Sequence, residues 1–382
     1  MKKSLIALLV ATLPAAAFAD VTIYGKIKGG VEYVDNGTTK QTNVDDLGSR
    51  IGFKGSEDLG NGLKTIWQVE SGFDIDGSNA QKRGTFASRE SFIGLQGGFG
   101  TVRLGYVSNF LDSDMGTVDT WEYSSPALGL GIFTRDATRL KNSVRYDLPA
   151  VVPGLTAALQ YGTKEGSKNI TTANWNQIDP VTGEVMTQDR ETYGLGLGYE
   201  NSGFFGKYSF IHESAVAVGT KAVGSSTVLA NVANDKHRLE VGYNANNLFV
   251  GLAYQQAQGD DSIIGSGWSS LVKTTPNSGT NAVPADAKYK TREYALTAAY
   301  TIGAFTPKFT YAHGNNVKQG DYTADNSKYD QYVLGVDYAV SKRTTFGAQY
   351  GQIAVGGTKT VAGVTTDNKD LKAFGLNMVH KF

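Results

Sequence analysis

The residues best placed to do chemistry in this chain are cations spaced two apart on one side of a strand-like pattern. Tyr24, Lys26, Lys28 and Glu32 share one parity, while Ile23, Ile27 and Val31 take the other. Arg50, Gly52 and Lys54 oppose Ile51 and Phe53; Lys64, Gln68 and Glu70 oppose Leu63, Trp67 and Val69. Arg103 opposes Val102 and Leu104, and Arg145 opposes Val144 and Tyr146. Period-two alternation marks a β-strand with two unlike faces. Lys26, Lys28, Arg50, Lys54, Lys64, Arg103 and Arg145 therefore fall on one polar surface. Arg89 is expected to join them, although the pattern over 88–96 leaves its phase open. The polar segment 108–138 supplies the opposite sign, with Asp112, Asp114, Asp119 and Glu122 around Trp121. Charges of opposite sign facing each other across water orient dipolar solutes and filter ions. The plainer alternatives are that some of these acids cap a short helix, and that the cations are solvated charges on a soluble sheet.

Bond-making chemistry finds no support. The four histidines, His212, His237, His313 and His380, are isolated from one another, and neither a Gly-x-Ser-x-Gly nor a His-Glu-x-x-His motif is present. Gly55 and Gly60 have phosphate-loop spacing, but Asn61 stands where a lysine is required. Gly194, Gly196 and Gly198 lie inside an alternating strand, not in a dinucleotide turn. Asp74-Ile-Asp76-Gly-Ser78 is faintly calcium-like but is better explained as a polar turn. No catalytic residue, metal or cofactor is expected. The 36 basic residues are balanced by 36 acidic ones, which argues against a nucleic-acid partner.

The elements that hold these charges are strands. From Phe382 backwards, His380, Met378, Leu376 and Phe374 are bulky and, apart from Val379, the residues between are small or polar. The stretch 20–33 alternates in the same way and is the natural partner for this last strand, so the two ends are expected to close a sheet on itself. Between them, alternating segments of about ten residues are joined by connectors that are short and long in turn. The short ones are Asp58–Gly62, Gly97–Gly100, Leu148–Pro153, Glu200–Gly203, Asn244–Asn247, Ile302–Ala304 and Val340–Lys342. The long ones run at 35–45, 74–84, 108–138, 164–189, 213–235, 258–290, 314–327 and 354–369. Together they predict roughly sixteen strands with one trimmed and one elaborated end, as in a transmembrane barrel. The chain has no cysteine, 47 glycines and 20 tyrosines. At the N-terminus, Lys2 and Lys3, the apolar run 5–13 and Ala17-Phe18-Ala19 read as a cleavable secretory signal over 1–19. The barrel is then 20–382.

Longer blocks carry a family resemblance. Leu47-Gly-Ser-Arg-Ile-Gly-Phe-Lys-Gly-Ser-Glu-Asp-Leu-Gly-Asn-Gly62 and its continuation to Glu70 resemble the second hairpin of Gram-negative trimeric porins of the neisserial, β-proteobacterial type. Ser91–Gly105, Asn142–Asp147, Asp337–Thr344 and His380-Lys381-Phe382 are similar to other blocks of that family. The resemblance implies a sixteen-stranded antiparallel transmembrane β-barrel with long external loops, short periplasmic turns and an inward-folded third loop. It implies a water-filled channel in the outer membrane, passing ions and small hydrophilic solutes by diffusion. It also implies a homotrimer latched by the loop near 74–84, and outer-membrane lipid around it. Phe382 would be the terminal residue through which the last strand meets the barrel-assembly machinery. The basic wall of the constriction would comprise Arg50, Arg89, Arg103 and Arg145, then Lys28, Lys26 and Lys64. The acids of the third loop would face it. Wall cations outnumber loop acids, which favours a mild anion preference. A solute-specific channel or a plugged adhesin is the second reading, and a soluble sugar-binding protein the third.

Overall fold

A computed structural model describes residues 21–77, 86–123, 125–164, 190–221, 227–272, 287–356, 358–361, 364–367 and 370–382. The proposed signal 1–19 lies outside these residues, as does most of the loop at 74–84. Sixteen staves form one closed antiparallel sheet. They are β1 (Thr22–Asp35), β2 in two pieces (Lys40–Asp46 and Arg50–Gly60), β3 (Leu63–Gly72), β4 (Ser91–Gly97), β5 (Gly100–Ser108) and β6 (Arg139–Asp147). Next come β7 (Leu155–Gly162), β8 (Thr192–Asn201), β9 (Phe204–Lys221), β10 (Thr227–Ala245) and β11 (Leu248–Gly259). The ring is completed by β12 (Tyr289–Tyr300), β13 (Phe305–Gly314), β14 (Tyr329–Ala339), β15 (Thr344–Val355) and β16 (Leu371–Lys381).

The ends of the chain do zip together. β1 pairs with β16 from Lys26↔Lys381 to Asp35↔Lys372. The seam finishes with a reciprocal pair, Gly25 N to Phe382 O at 3.0 Å and Phe382 N to Gly25 O at 3.1 Å. Glycine is needed there: a Cβ on Gly25 would meet the Arg50 carbonyl at 2.5 Å and the Phe382 ring at 2.6 Å. The one break in the neighbouring stave is patched by a side chain. Ser49 Oγ accepts from Lys28 N at 2.9 Å, and Leu47 N donates to Lys28 O at 3.0 Å.

Outward positions follow the expected parity. Ile23, Val31, Leu104, Leu159, Leu252, Leu334, Leu376 and Met378 are all exposed on the outside. Two rows of rings bound this apolar belt. Toward the long loops Tyr161 meets Tyr193, Tyr254 meets Tyr294, and Tyr311 meets Tyr332, with centroids 5.1–5.2 Å apart. Toward the short turns Phe204 meets Tyr243 and Phe305 meets Tyr338. Tyr193 and Tyr199, or Tyr294 and Tyr300, belong to opposite rows, and six residues of strand span about 20 Å. That suits the thin apolar band of an outer-membrane barrel.

The connectors differ from expectation in more than one place. Of the segment 35–45 only 36–39 is a turn, because Lys40–Asp46 is the first piece of β2 and pairs with β1 from Gly29↔Asp46 to Asp35↔Lys40. The segment 213–235 is not a loop: β9 and β10 run 18 and 19 residues and stay paired out to Lys221↔Thr227, with a bulge between Glu213 and Val216. Polarity misled here, because a hairpin that has left the hydrocarbon no longer needs an apolar face. The short turns behave as their residues predict; Asn61 and Gly62 both take positive φ, 53° and 77°.

Closure at the seam is open to test. Gly25→Val should weaken the folded barrel by about 1–3 kcal/mol through overpacking. The readout is loss of the heat-modifiable folded band on gels at lower urea; an unchanged midpoint would refute the crowding at Phe382.

Candidate functional site

Inside the barrel the third long loop, L3 (109–138), joins β5 to β6 and divides the lumen. It begins with helix α1 (Phe110–Ser113), N-capped by Asn109, whose side chain accepts from Asp112 N. Phe110 lies flat on β8 because Gly196 has no side chain; a Cβ there would be 2.0 Å from the ring. The loop then follows the wall. Glu240 on β10 accepts from Gly116 N at 3.0 Å and Thr117 N at 3.1 Å. Thr297 on β12 donates to Val118 O at 2.5 Å, Lys308 on β13 to Thr120 O at 2.7 Å, and Trp121 Nε1 to Thr310 at 2.9 Å. At the far side Tyr123 donates to Val31 O and Leu376 O, across the β1–β16 seam. The return leg is held by Gln331 and Gln349 on β14 and β15, which donate to the carbonyls of Pro126, Gly129 and Leu128.

The hydrophobic core of the protein lies between this loop and the wall. Val118, Trp121, Leu130, Ile132 and Phe133 pack on Ala253, Ala257, Ala295, Ala312 and Val333, with Trp268 and Tyr329 at the outer end. Within it sits a fully buried carboxylate, Glu293. Arg135 grips it with two 2.7 Å hydrogen bonds, and Tyr329 and Gln255 donate at 2.9 and 3.1 Å. Arg238 holds the Phe133 carbonyl at 2.7 Å, and Lys236 meets Asp136 at 3.1 Å. A charge with this many partners tolerates burial, and removing one partner strands the other.

With β6–β16 covered, the wall left facing open space is β1–β5. Its charges form rows of ion pairs. Lys28 and Lys26 meet Glu122 of L3 at 2.7 and 3.7 Å. Glu70 sits between Arg50 at 3.6 Å and Arg89 at 2.5 Å. Arg103 is flanked by Glu90 at 3.3 Å and Asp147 at 2.6 Å, and the other oxygen of Asp147 reaches Arg145 at 2.8 Å. Arg103 and Arg145 are direct cross-strand neighbours. Like charges in that position repel, and the shared Asp147 offsets this.

The expected site residues therefore separate into three groups. Lys26, Lys28, Arg50, Arg89 and Arg103 come together on one wall, with Glu122 across from the two lysines. Arg145, 2% exposed, is instead buried beneath the root of L3, bonded to Ser108 O and Ser113 and paired with Asp114 at 2.7 Å. Asp112 pairs with Arg139 at 3.0 Å, so Asp112 and Asp114 fasten the loop instead of facing the cations that stay on the open wall. Lys64 lies beside the Asp58–Gly62 turn, cross-strand from Asp58 and Gln96, away from the group. The wall is also not purely cationic. Glu32, Glu70, Glu90 and Asp147 stand on the same wall, where alternation and the strand ends put them. Sequence reading missed Lys308, Arg135, Glu240 and Glu293. Their signal was present: Ala253, Ala257, Ala295 and Ala312 occupy inward parity, where a wet wall would carry polar groups.

Two L3 carboxylates are shifted. Burial pushes Glu122 up, but Lys28 and Lys26 outweigh it and hold the group below its ordinary value. Burial raises Asp119 to about 6, against the pull of the Trp121 and Leu130 amides and of Lys308.

A closed barrel with an apolar exterior, two aromatic girdles and a charged inner wall narrowed by its own loop is a water-filled outer-membrane channel. The Gram-negative porin family model matches residues 4–358, and this chain belongs to that family. It is 40% identical over 364 residues to the Major outer membrane protein P.IB of Neisseria sicca, covering 90% of this chain and 92% of that protein. The counterpart from Neisseria meningitidis serogroup B is 36% identical with both chains fully covered. Among solved structures, an anion-selective porin from Comamonas acidovorans superposes with a TM-score of 0.68 at 21% identity, covering 95% of this chain and all of that one. Salmonella typhi OmpF in complex with daunomycin gives 0.60 at 17% identity, covering 95% and 98%. The protein is a porin of the outer membrane, a channel and not an enzyme, through which ions and small hydrophilic solutes diffuse.

Two measurements probe the loop. Arg135→Ala leaves Glu293 buried and unpaired, a loss of about 3–5 kcal/mol. Single-channel conductance should rise or become noisy and L3 should become protease-sensitive; a quiet, protected channel of unchanged conductance would refute the clamp. For Asp119, the seated loop binds more protons than the free chain between the ordinary carboxyl value near 4 and about 6. Its contribution to stability therefore falls as pH rises through that window. As pH drops below about 6 the loop loses a negative charge, so selectivity should move toward anions. Asp119→Asn should abolish this pH dependence in planar bilayers.

Proposed function

We propose that solutes cross between the β1–β5 wall and the inner edge of L3. In this reading Lys26, Arg50, Arg89 and Arg103 form the cationic side of the constriction, and Glu122 and Asp119 the anionic side. The observation that carries it is the meeting of Lys26 and Lys28 with Glu122, which brings the loop's charge onto the one wall that L3 leaves uncovered. Lys28 fixes Glu122, Arg145 with Asp114 seats the loop, and Lys64 stands at the periplasmic mouth. The resulting transverse field orients dipolar solutes without binding any of them tightly.

The assembly is a homotrimer in this reading. Near the long-loop end the outward positions of β2, β3 and β4 include Thr42, Ser71 and Ser91, where most other staves carry rings. Beside them an apolar groove of about 230 Å³ is lined by Thr65, Ile93, Leu95, Val102 and Leu104. Such a surface suits a protein neighbour better than lipid. Cleavage after Ala19 fits β1 starting at Thr22. Phe382 and the last strand are the segment offered to the barrel-assembly machinery, since they stay without a second partner until β1 closes on them.

Planar-bilayer recording tests the reading. Openings should come in triplets. A unit charge acts on an ion about 8 Å away in water with about 0.5 kcal/mol, roughly twofold in local occupancy. Arg50→Ser with Arg103→Ser should therefore shift the reversal potential toward cations. An unmoved potential would take both residues out of the constriction, and single-step openings would count against the trimer.

A further inference from the structure

Two inward side chains of the open wall are out of keeping with their surroundings. Along β1 to β4 the inward positions are polar or glycine except for Tyr24, Val34, Ile66 and Phe92. Val34 packs beneath the tip of L3, and Tyr24 donates to Glu70 at 3.1 Å. Ile66 and Phe92 are only half-buried, and neither joins the cores that L3 makes with the wall. They keep apolar surface in the water of the channel.

A cation without a carboxylate stands beside them. Lys54 is exposed, no acid among the described residues lies within ion-pair distance of it, and its ammonium sits 5.3 Å over the ring of Tyr24. Arg50, Arg89 and Arg103, by contrast, lean on Glu70, Glu90 or Asp147. Lys64 also lacks an ion pair, but its cross-strand neighbours are Asp58 and Gln96, with no ring among them. Lys54, Gln68 and Phe92 form one row of directly opposed residues across β2, β3 and β4. At about 4.8 Å per strand, the backbones of Lys54 and Phe92 are about 10 Å apart. The next residue of the row is Gly105, and Gly94 follows Phe92 with the same parity, so neither neighbour raises a side chain beside the ring. Ile66 comes next to Gly94, where a Cβ would meet it at 3.2 Å, and the Arg103 guanidinium lies 5.5 Å from the Phe92 ring. The result is a flat apolar floor with one free ammonium at its edge. Lys54 is four residues past Arg50 toward the short turn, about 13 Å of strand beyond the constriction.

We propose that this part of the wall is a weak subsite for aromatic carboxylates on the periplasmic side of the constriction. The inference rests on the solute path proposed above and names a class of solute for it. Lys54 pairs with the carboxylate, Gln68 offers its amide between the two ends, and the solute ring lies against Phe92 and Ile66. Aromatic rings favour offset or edge contact with one another, and the glycines leave the approach to Phe92 open. The spacing of Lys54 and Phe92 is one that an extended lysine and a benzoate-sized anion bridge together. An aliphatic acid of the same charge gains the ammonium but not the floor.

The test is single-channel recording of the folded mature protein in planar bilayers, in KCl at pH 7, with sodium benzoate or sodium acetate added. Benzoate should reduce the current saturably, with a half-blocking concentration about fivefold below that of acetate. Phe92→Ser should raise the benzoate value about fivefold, to that of acetate, and Ile66→Ser about twofold. Lys54→Gln should raise it about threefold. Equal block of the wild type by benzoate and acetate overturns the proposal, as does wild-type block of Phe92→Ser by benzoate. Block by benzyl alcohol as strong as by benzoate overturns the choice of an anion. Should Phe92→Ser fail to fold, Lys54→Gln decides, because its exposed side chain packs on no core; an unchanged benzoate block there rejects the site. The constriction reading is judged separately, by the KCl reversal potential of Arg50→Ser with Arg103→Ser, so the failure of one is distinguishable from the failure of the other.

Discussion

An unpaired backbone amide or carbonyl in hydrocarbon has no water to turn to, and this single constraint organises the molecule. A sheet placed there must have no edge. The chain satisfies this by bringing Asp35 opposite Lys372 at one end of the seam and Gly25 opposite Phe382 at the other. Where β2 is broken at Leu47–Ser49, a serine side chain and one amide take over the missing bonds of Lys28. The even number of staves follows from the same closure, because both chain ends then reach the short-turn side.

Closure creates a second problem, an interior too wide to filter anything. L3 solves it by filling one half with a packed core and leaving the other wet. The two halves of the wall differ accordingly. β11 to β13 turn Ala253, Ala257, Ala295 and Ala312 inward to make room for Trp121, Ile132 and Phe133. β1 to β5 turn long charged side chains inward. The loop is held by hydrogen bonds to its carbonyls and by the buried Arg135–Glu293 pair, so its inner edge is a rigid boundary of the channel and not a flap.

The charge arrangement has a further consequence. Because Glu70, Glu90 and Asp147 separate the arginines, the wall is a chain of bridged pairs and not a bare cationic stripe. Arg50 and Arg89 keep part of their guanidinium surface in water while leaning on Glu70. Arg145 has surrendered that exposure entirely to tie the root of L3. The same residue type thus stays partly in water at one place and is buried in the architecture at the next, depending on how much of the loop lies over it.

Parity, turn residues and the alternation of short and long connectors were legible in the chain itself, because they are local: a side chain's face depends only on counting by two, and Asn61-Gly62 turns wherever it occurs. From these came the strand number, the seam, the lipid-facing belt and the identity of the inward cations. What counting could not supply was which inward charges meet water. Arg103 and Arg145 are equivalent by parity, yet one lines the channel and the other is buried under α1. That depends on where a thirty-residue loop comes to rest, through contacts such as Phe110 on Gly196, Glu240 with Gly116 and Arg135 with Glu293, between residues far apart in sequence. Only the closed barrel brings those partners within reach of each other.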